Sequence, residues 1–381
     1  METCCSRARA VPRKPFGTPK CSTEERRRVG GFPLRANLHS QVRDDSFIAF
    51  RLISQLTAMA RGVVVNAGRL DYENNRLDLS CIDNALGAPL TRHDDHTPSP
   101  AEITARCEGF DVVISKEVPV DVASLPDSVR LICEAGTGFN NVDLDAARAK
   151  GITVCNVPSY SSDAVAHLVI TFVLNFSSSL VRQHRALARG DTSNFPSFTS
   201  FGALPHFELG GKTIGLVGGT GAIGTKVAEI ARVLGMNVLV WSRSAKSCET
   251  YEAAANLDDL LARSDFVSVH CPLTDATKHL IDADALKRMK PSAYIINTSR
   301  GPVINQDDLI SALTDGTIAG AGLDVQDPEP PVEGSPLYSL ENVILTPHIG
   351  WKRVESRQRL MNTVAENIKA FFNGNPINVV S

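Results

Sequence analysis

The amino-acid sequence predicts an α/β protein built from two doubly wound parallel sheets. Short apolar strands alternate with helical stretches in two successive series. The second series carries a glycine-rich turn between its first strand and the helix that follows.

Residues 1–58 stand apart from both series. They carry Arg7, Arg9, Arg13, Lys14, Lys20, Arg26, Arg27, Arg28, Arg35, Arg43 and Arg51 against only five acids, with scattered Ser, Thr and Pro and no sustained period. A basic, Ser-rich, acid-poor leader reads as an organellar transit peptide, for a mitochondrion or a chloroplast. A disordered basic arm, or untranslated sequence ahead of a start at Met59, are the other readings, and with them the location is the cytoplasm.

The first βα series follows. Gly62–Gly68 reads as a buried strand ending in a turn, and Phe110–Ser115, Val129–Cys133 and Ile152–Val157 read likewise. Ser99–Glu108 and Leu144–Lys150 are helical between them. Val165–Phe176, the longest apolar stretch, is interrupted by His167, Thr171 and Asn175 and reads as a buried helix. It falls short of the roughly 20 apolar residues of a membrane span. The second series places strands at Thr213–Val217, Asn237–Trp241, Phe266–His270, Ala293–Asn297, Ala319–Asp324 and Val343–Thr346, and Val354–Phe372 closes the chain as an amphipathic helix.

Composition excludes some functions. A hydrophobic fraction of 43% and a charged fraction of 21% are those of a globular protein with a sizeable core. A net charge of −3 gives no electrostatic case for nucleic acid. The nine cysteines are an odd number without a C-x-x-C pair, which argues against a disulfide scaffold and a zinc site. No metal is expected.

The glycine-rich turn is Gly219-Thr-Gly221-Ala222-Ile223-Gly224, with a strand before it and a helix from Ala222 to Leu234 after it. Such glycines let the backbone approach a pyrophosphate, and the helix start offers free N–H groups and a positive dipole end. The next strand ends Trp241-Ser242-Arg243-Ser244, with no acid to take a ribose 2′-hydroxyl. Ser242 and Arg243 therefore favour NADP over NAD. Arg243 as a solvated surface residue stays open as the other reading.

Three motifs follow later strands: Asn297–Gly301 with Arg300, Asp324–Pro331 with Glu329, and Thr346–Trp351 with His348. Ligands of open α/β sheets bind at the carboxyl ends of the strands, so these three side chains can converge. A guanidinium holds a 2-keto acid's carboxylate and polarises its ketone. Hydride addition leaves an alkoxide, and an imidazole, which titrates near neutrality, is the natural proton donor. A carboxylate beside it fixes its tautomer and stabilises its protonated form.

These residues resemble the D-isomer-specific 2-hydroxyacid dehydrogenases, and within them the glycerate dehydrogenase/hydroxypyruvate reductase members. The resemblance covers about residues 60–381. It rests on Ala135-Gly-Thr-Gly-Phe-Asn-Asn-Val-Asp143, Gly151–Tyr160, Leu209–Thr213, Thr346–Trp351 and the ending from Glu366 to Val380. It implies a flavodoxin-like substrate domain, residues 59–157 plus 350–381, and a Rossmann NAD(P)-binding domain, residues 158–349. Arg300 then binds substrate, His348 is the acid/base and Glu329 its partner. Backbone amides at Gly136, Thr137 and Gly138 hold the substrate carboxylate. Thr298 and Asp324 meet the nicotinamide end of the cofactor, and Cys271, Pro272 and Thr277 line its other side. The resemblance also implies a homodimer acting on a small 2-keto or 2-hydroxy acid. Hydroxypyruvate or glyoxylate reduction ranks first, with another 2-hydroxy acid, or a nucleotide-sensing corepressor-like protein on the same scaffold, as alternatives. Two departures stand out. Val217–Gly221 carries one glycine more than the family's usual turn, and His167 stands where the family commonly has Glu or Gln.

Overall fold

The computed structural model describes residues 59–71, 76–193 and 204–381. The leader-like segment, residues 1–58, lies outside them. The first sheet comprises β1 (Gly62–Val64), β2 (Thr91–Arg92), β3 (Val112–Ser115), β4 (Leu131–Glu134) and β5 (Thr153–Cys155), in the order β2-β1-β3-β4-β5. The second comprises β6 (Thr213–Val217), β7 (Asn237–Trp241), β8 (Glu252–Ala253), β9 (Phe266–Val269), β10 (Tyr294–Asn297), β11 (Gly320–Leu323) and β12 (Val343–Leu345), in the order β12-β11-β10-β9-β6-β7-β8. Every pairing in both sheets is parallel. The strand order reverses between β1 and β3 in the first sheet and between β6 and β9 in the second, and a crevice opens at each such switch point.

The sheets are sandwiched by helices because their strands are apolar on both faces. Helix Ser162–Ser178 buries Ala166, Val169, Phe172 and Val173 against Leu216, Phe266 and Tyr294 of the second sheet. No single helix among the described residues is long and apolar enough to cross a membrane. The last helix, Val354–Phe372, returns to the first sheet, where Leu360, Met361, Val364 and Ile368 pack with Ile114 and Leu131. Each such fully buried aliphatic side chain contributes on the order of 1.5–3 kcal/mol. The tail then bridges β5, with the Val380 amide donating to the Val154 carbonyl at 2.9 Å.

Two details differ from the sequence reading. Gly62–Gly68 is not one strand: β1 stops at Val64, and Ala67–Leu70 forms a short helix. The cause is Asn66, fully buried, whose side chain accepts from the Lys116 amide at 3.0 Å and donates to the Lys116 carbonyl at 2.8 Å. It ties the exit of β1 to that of β3. The two-residue edge strands β2 and β8 were not foreseen, because neither is long enough to show a period.

Candidate active site

The exit of β6 builds the first part of the site. Gly218 takes a left-handed φ of 80° and turns the chain. That bend leaves Gly219, Gly221 and Gly224 around the helix start. Helix Ala222–Val233 begins with Gly221 as N-cap and no side-chain cap, and no described residue outside the helix claims the amides of Ala222, Ile223 and Gly224. A Cβ at Gly224 would collide with the Gly219 backbone. The helix therefore seats against the turn only with glycine there. An uncapped helix start at a switch point fits a dinucleotide pyrophosphate.

The neighbouring residues frame that cradle. Thr220 Oγ1 lies 3.1 Å from Ser242 Oγ, joining the turn to the end of β7, and Arg243 is exposed just beyond. Cys271 is buried against Gly218, and burial pushes its thiol up. Next to it His270 is partly buried, its Nε2 shut away from solvent, and burial brings its imidazole down to about 4, so it is neutral. Pro272 is exposed, and the Thr277 hydroxyl donates to its carbonyl at 2.6 Å while accepting from the Thr274 amide at 2.8 Å, so Thr277 shapes this loop. Thr298 Oγ1 is buried without a partner among the described residues.

The acid/base pair sits at the exits of β11 and β12. His348 Nδ1 lies 2.9 Å from Glu329 Oε2. A carboxylate only accepts, so Nδ1 carries the hydrogen and Nε2 is the nitrogen left for substrate. Glu329 is held in turn by the Gln326 amide, 3.0 Å from Oε1. His348 has φ 50°, a conformation costly for a residue with a side chain. Its turn is held by Asp324, which is buried and accepts from Thr346 Oγ1 at 2.6 Å and from the amides of Ile349 and Gly350 at 2.8 and 2.9 Å. The Asp324 carboxylate thus positions the histidine turn.

Arg300 follows β10. Asn297 accepts from the Ser299 amide at 3.0 Å and donates to the Arg300 carbonyl at 2.9 Å, which fixes the turn. The guanidinium reaches across to the first sheet, where a Cβ at Gly138 would collide with it. Beside it the Gly136–Gly138 loop leaves β4, braced by Asn156 Nδ2 to the Thr137 carbonyl at 2.8 Å and by Thr137 Oγ1 to the Val157 carbonyl at 3.1 Å. The amides of Thr137 and Gly138 donate to no described residue, whereas the Gly136 amide, expected to join them, already donates to the Glu134 carbonyl at 2.8 Å because the chain turns back there as it leaves β4. Free amides beside a guanidinium form a cradle for a carboxylate.

The adjoining exit of β3 holds charged residues that no motif announced. Lys116 is wholly buried, its Nζ 2.6 Å from Glu117 Oε1 and 4.1 Å from the centre of the Trp351 ring. Burial opposes its charge, but Glu117, Tyr160 and Glu134 outweigh burial and hold it ionised. Burial likewise opposes ionisation of Glu117, yet Lys116, His348 and Arg300 bring that carboxyl down to about 2. Glu134, also wholly buried, is pushed up by burial and accepts from Ser115 Oγ, Asn141 Nδ2 and the Glu117 amide. Outside this cluster, His167 is exposed and takes a hydrogen bond from Arg353 Nη1 at 2.8 Å.

A pyrophosphate cradle on one sheet, a carboxylate cradle on the other, and a guanidinium and a histidine–carboxylate pair between them define a dinucleotide-dependent oxidoreductase of small carboxylic acids. Residues 170–350 match the family model described as D-isomer specific 2-hydroxyacid dehydrogenase, NAD binding domain. A glycerate dehydrogenase from Methylorubrum extorquens is 37% identical over 75% of this chain and 90% of its own length. A hydroxypyruvate reductase from Blautia hydrogenotrophica is 33% identical over 84% of this chain and 98% of its own. Among solved structures, a D-isomer specific 2-hydroxyacid dehydrogenase from Lactobacillus delbrueckii in its NAD-complexed form superposes with a TM-score of 0.68. It is 28% identical, covering 84% of this chain and all of that one. The chain belongs to the D-isomer-specific 2-hydroxyacid dehydrogenase family.

Proposed function

We propose that the chain reduces hydroxypyruvate or glyoxylate to D-glycerate or glycolate, reversibly, and prefers NADP(H). The observation that carries the chemistry is the His348–Glu329 contact of 2.9 Å with Arg300 held against Gly138. The dinucleotide, when bound, supplies the hydride. The amides of Thr137 and Gly138 and the Arg300 guanidinium hold the substrate carboxylate, and Arg300 polarises the ketone. His348 gives the ketone oxygen its proton from Nε2, and Glu329 stabilises the imidazolium before that transfer. The choice of substrate is supported by the names of the two relatives above. The coenzyme preference is supported by the missing acid after β7 and by exposed Arg243 next to Ser242.

Oxidation of NADPH and of NADH by the full chain, with each keto acid in turn, tests this reading. Turnover of hydroxypyruvate or glyoxylate is expected, faster with NADPH, and His348→Ala should lower kcat by roughly 10²–10⁴-fold. Tight dinucleotide binding without turnover of any keto acid would overturn it in favour of a nucleotide-sensing role. Equal rates with both coenzymes would remove Arg243 from the cofactor site.

A further inference from the structure

The carboxylate at Glu117 has no part in the chemistry above, yet it stands at the switch point of the first sheet. It follows β3, next to the loop that leaves β4, and Ser115 and Glu134 are register partners there. Its backbone is left-handed, with φ 52°, and that turn is fastened by the Asn66 bonds to Lys116 and by the Glu117 amide donating to Glu134 Oε1 at 2.9 Å. The side chain is pinned at one oxygen by Lys116 Nζ at 2.6 Å. Arg69 stands 3.9 Å from the other oxygen and donates to the Glu117 carbonyl at 2.6 Å. Lys116 itself lies against the carboxylate cradle, since a Cβ at Gly136 would be 3.1 Å from its Nζ. Of this pair Lys116 is fully enclosed, whereas Glu117 keeps 25% of its side chain open, so Glu117 is the member that can meet a ligand.

A fixed anion beside a site for an anionic substrate weakens binding unless it returns something. It can return two things. It accepts a hydrogen bond from a donor on the substrate, and it repels any second negative charge the substrate carries. Lys116 Nζ at Gly136 and the Arg300 guanidinium at Gly138 flank the same loop, so Glu117, bonded to Lys116, stands beside the substrate cradle.

We propose that Glu117 is a specificity-determining residue, selecting monoanionic 2-keto acids with a hydrogen-bond donor on the carbon next to the ketone and rejecting those with a second anionic group there. The proposal rests on the dehydrogenase reading and names the substrate class of that same site. Hydroxypyruvate carries the donor, pyruvate lacks it, and oxaloacetate carries a second carboxylate in its place.

The test compares kcat/KM for these three acids in the wild type, in Glu117→Gln and in the double variant Lys116→Met/Glu117→Gln. The double variant removes both charges, so an unpaired buried lysine cannot confound the result or the folding. The wild type should favour hydroxypyruvate over pyruvate, and both over oxaloacetate. Both variants should raise the oxaloacetate-to-hydroxypyruvate ratio by roughly tenfold or more, chiefly through KM. A uniform fall for all three acids with the ratios unchanged would leave Glu117 as only a partner for Lys116 and overturn the proposal. In that case wild-type turnover still stands for the dehydrogenase reading. Failure of the wild type to reduce any of the three would remove both together.

Discussion

At the scale of single residues, the site depends as much on side chains that never meet substrate as on those that do. Asp324 is the clearest case. Its two oxygens take three donors from the turn that carries His348, and the turn holds a left-handed φ at that histidine. An asparagine cannot reproduce this. Whichever way its amide is set, an NH2 group faces at least one donor from the turn. Leaving a buried amide unsatisfied costs roughly 1–3 kcal/mol. Asp324→Asn should therefore lower the unfolding free energy by about that amount, measured by denaturant titration. It should also depress kcat more than KM, because the histidine loses its fixed approach. An unchanged kcat would show that the turn holds itself without Asp324. Glu329 acts differently, through charge rather than geometry. Glu329→Gln keeps an acceptor for Nδ1 but removes the negative charge that stabilises imidazolium, so kcat should fall about 10- to 100-fold with little change in stability.

At the scale of elements, the strand-to-helix turn after β6 makes a sharper statement than any one contact. Gly224 lies where a methyl group would strike the Gly219 backbone. Gly224→Ala must push the helix off the turn and misdirect the amides at its start. Titration with NADPH, followed by its fluorescence, should show a Kd raised by roughly tenfold or more; a wild-type Kd would place the pyrophosphate elsewhere. This turn was legible in the sequence because its glycines, strand and helix are contiguous. The helix Val354–Phe372 was legible for the same reason, its apolar stripe running unbroken. The Lys116–Glu117 cluster was not. A lysine and a glutamate after a strand read as a solvated turn. Only the register of β3 against β4, the Asn66 side chain from the exit of β1 and Trp351 from the far end of the chain enclose them. The edge strands β2 and β8 were missed for a related reason. They are strands by virtue of a neighbour, not of their own pattern.

At the scale of the whole molecule, the buried titratable groups set how the fold responds to acid. His270 is partly buried with its Nε2 shielded, and neutral, with its imidazole brought down by burial from 6.5 to about 4. Unfolding releases it to its ordinary value. Between pH 6.5 and about 4 the unfolded chain therefore binds a proton that the folded one refuses, and stability rises with pH across that window. The shift corresponds to roughly 3 kcal/mol, fully present above pH 6.5 and lost as pH falls through the window. Glu117 adds to acid loss lower down. Its carboxyl stands at about 2 when folded and near the usual 4.3 when unfolded. Its contribution is present above about 4.3 and is lost as pH falls towards 2. Glu134, pushed up by burial, has the opposite sign and relieves part of the loss. The two windows barely overlap, so two variants separate them. In thermal unfolding followed from pH 7 downward, His270→Asn should flatten the fall between about 6.5 and 4 relative to wild type. Glu117→Gln should leave that interval unchanged and flatten the curve only below it. A wild-type slope in His270→Asn would mean that the imidazole gains access to water or a proton in the folded state, and that its shielding behind β9 is opened by motion on the timescale of the measurement.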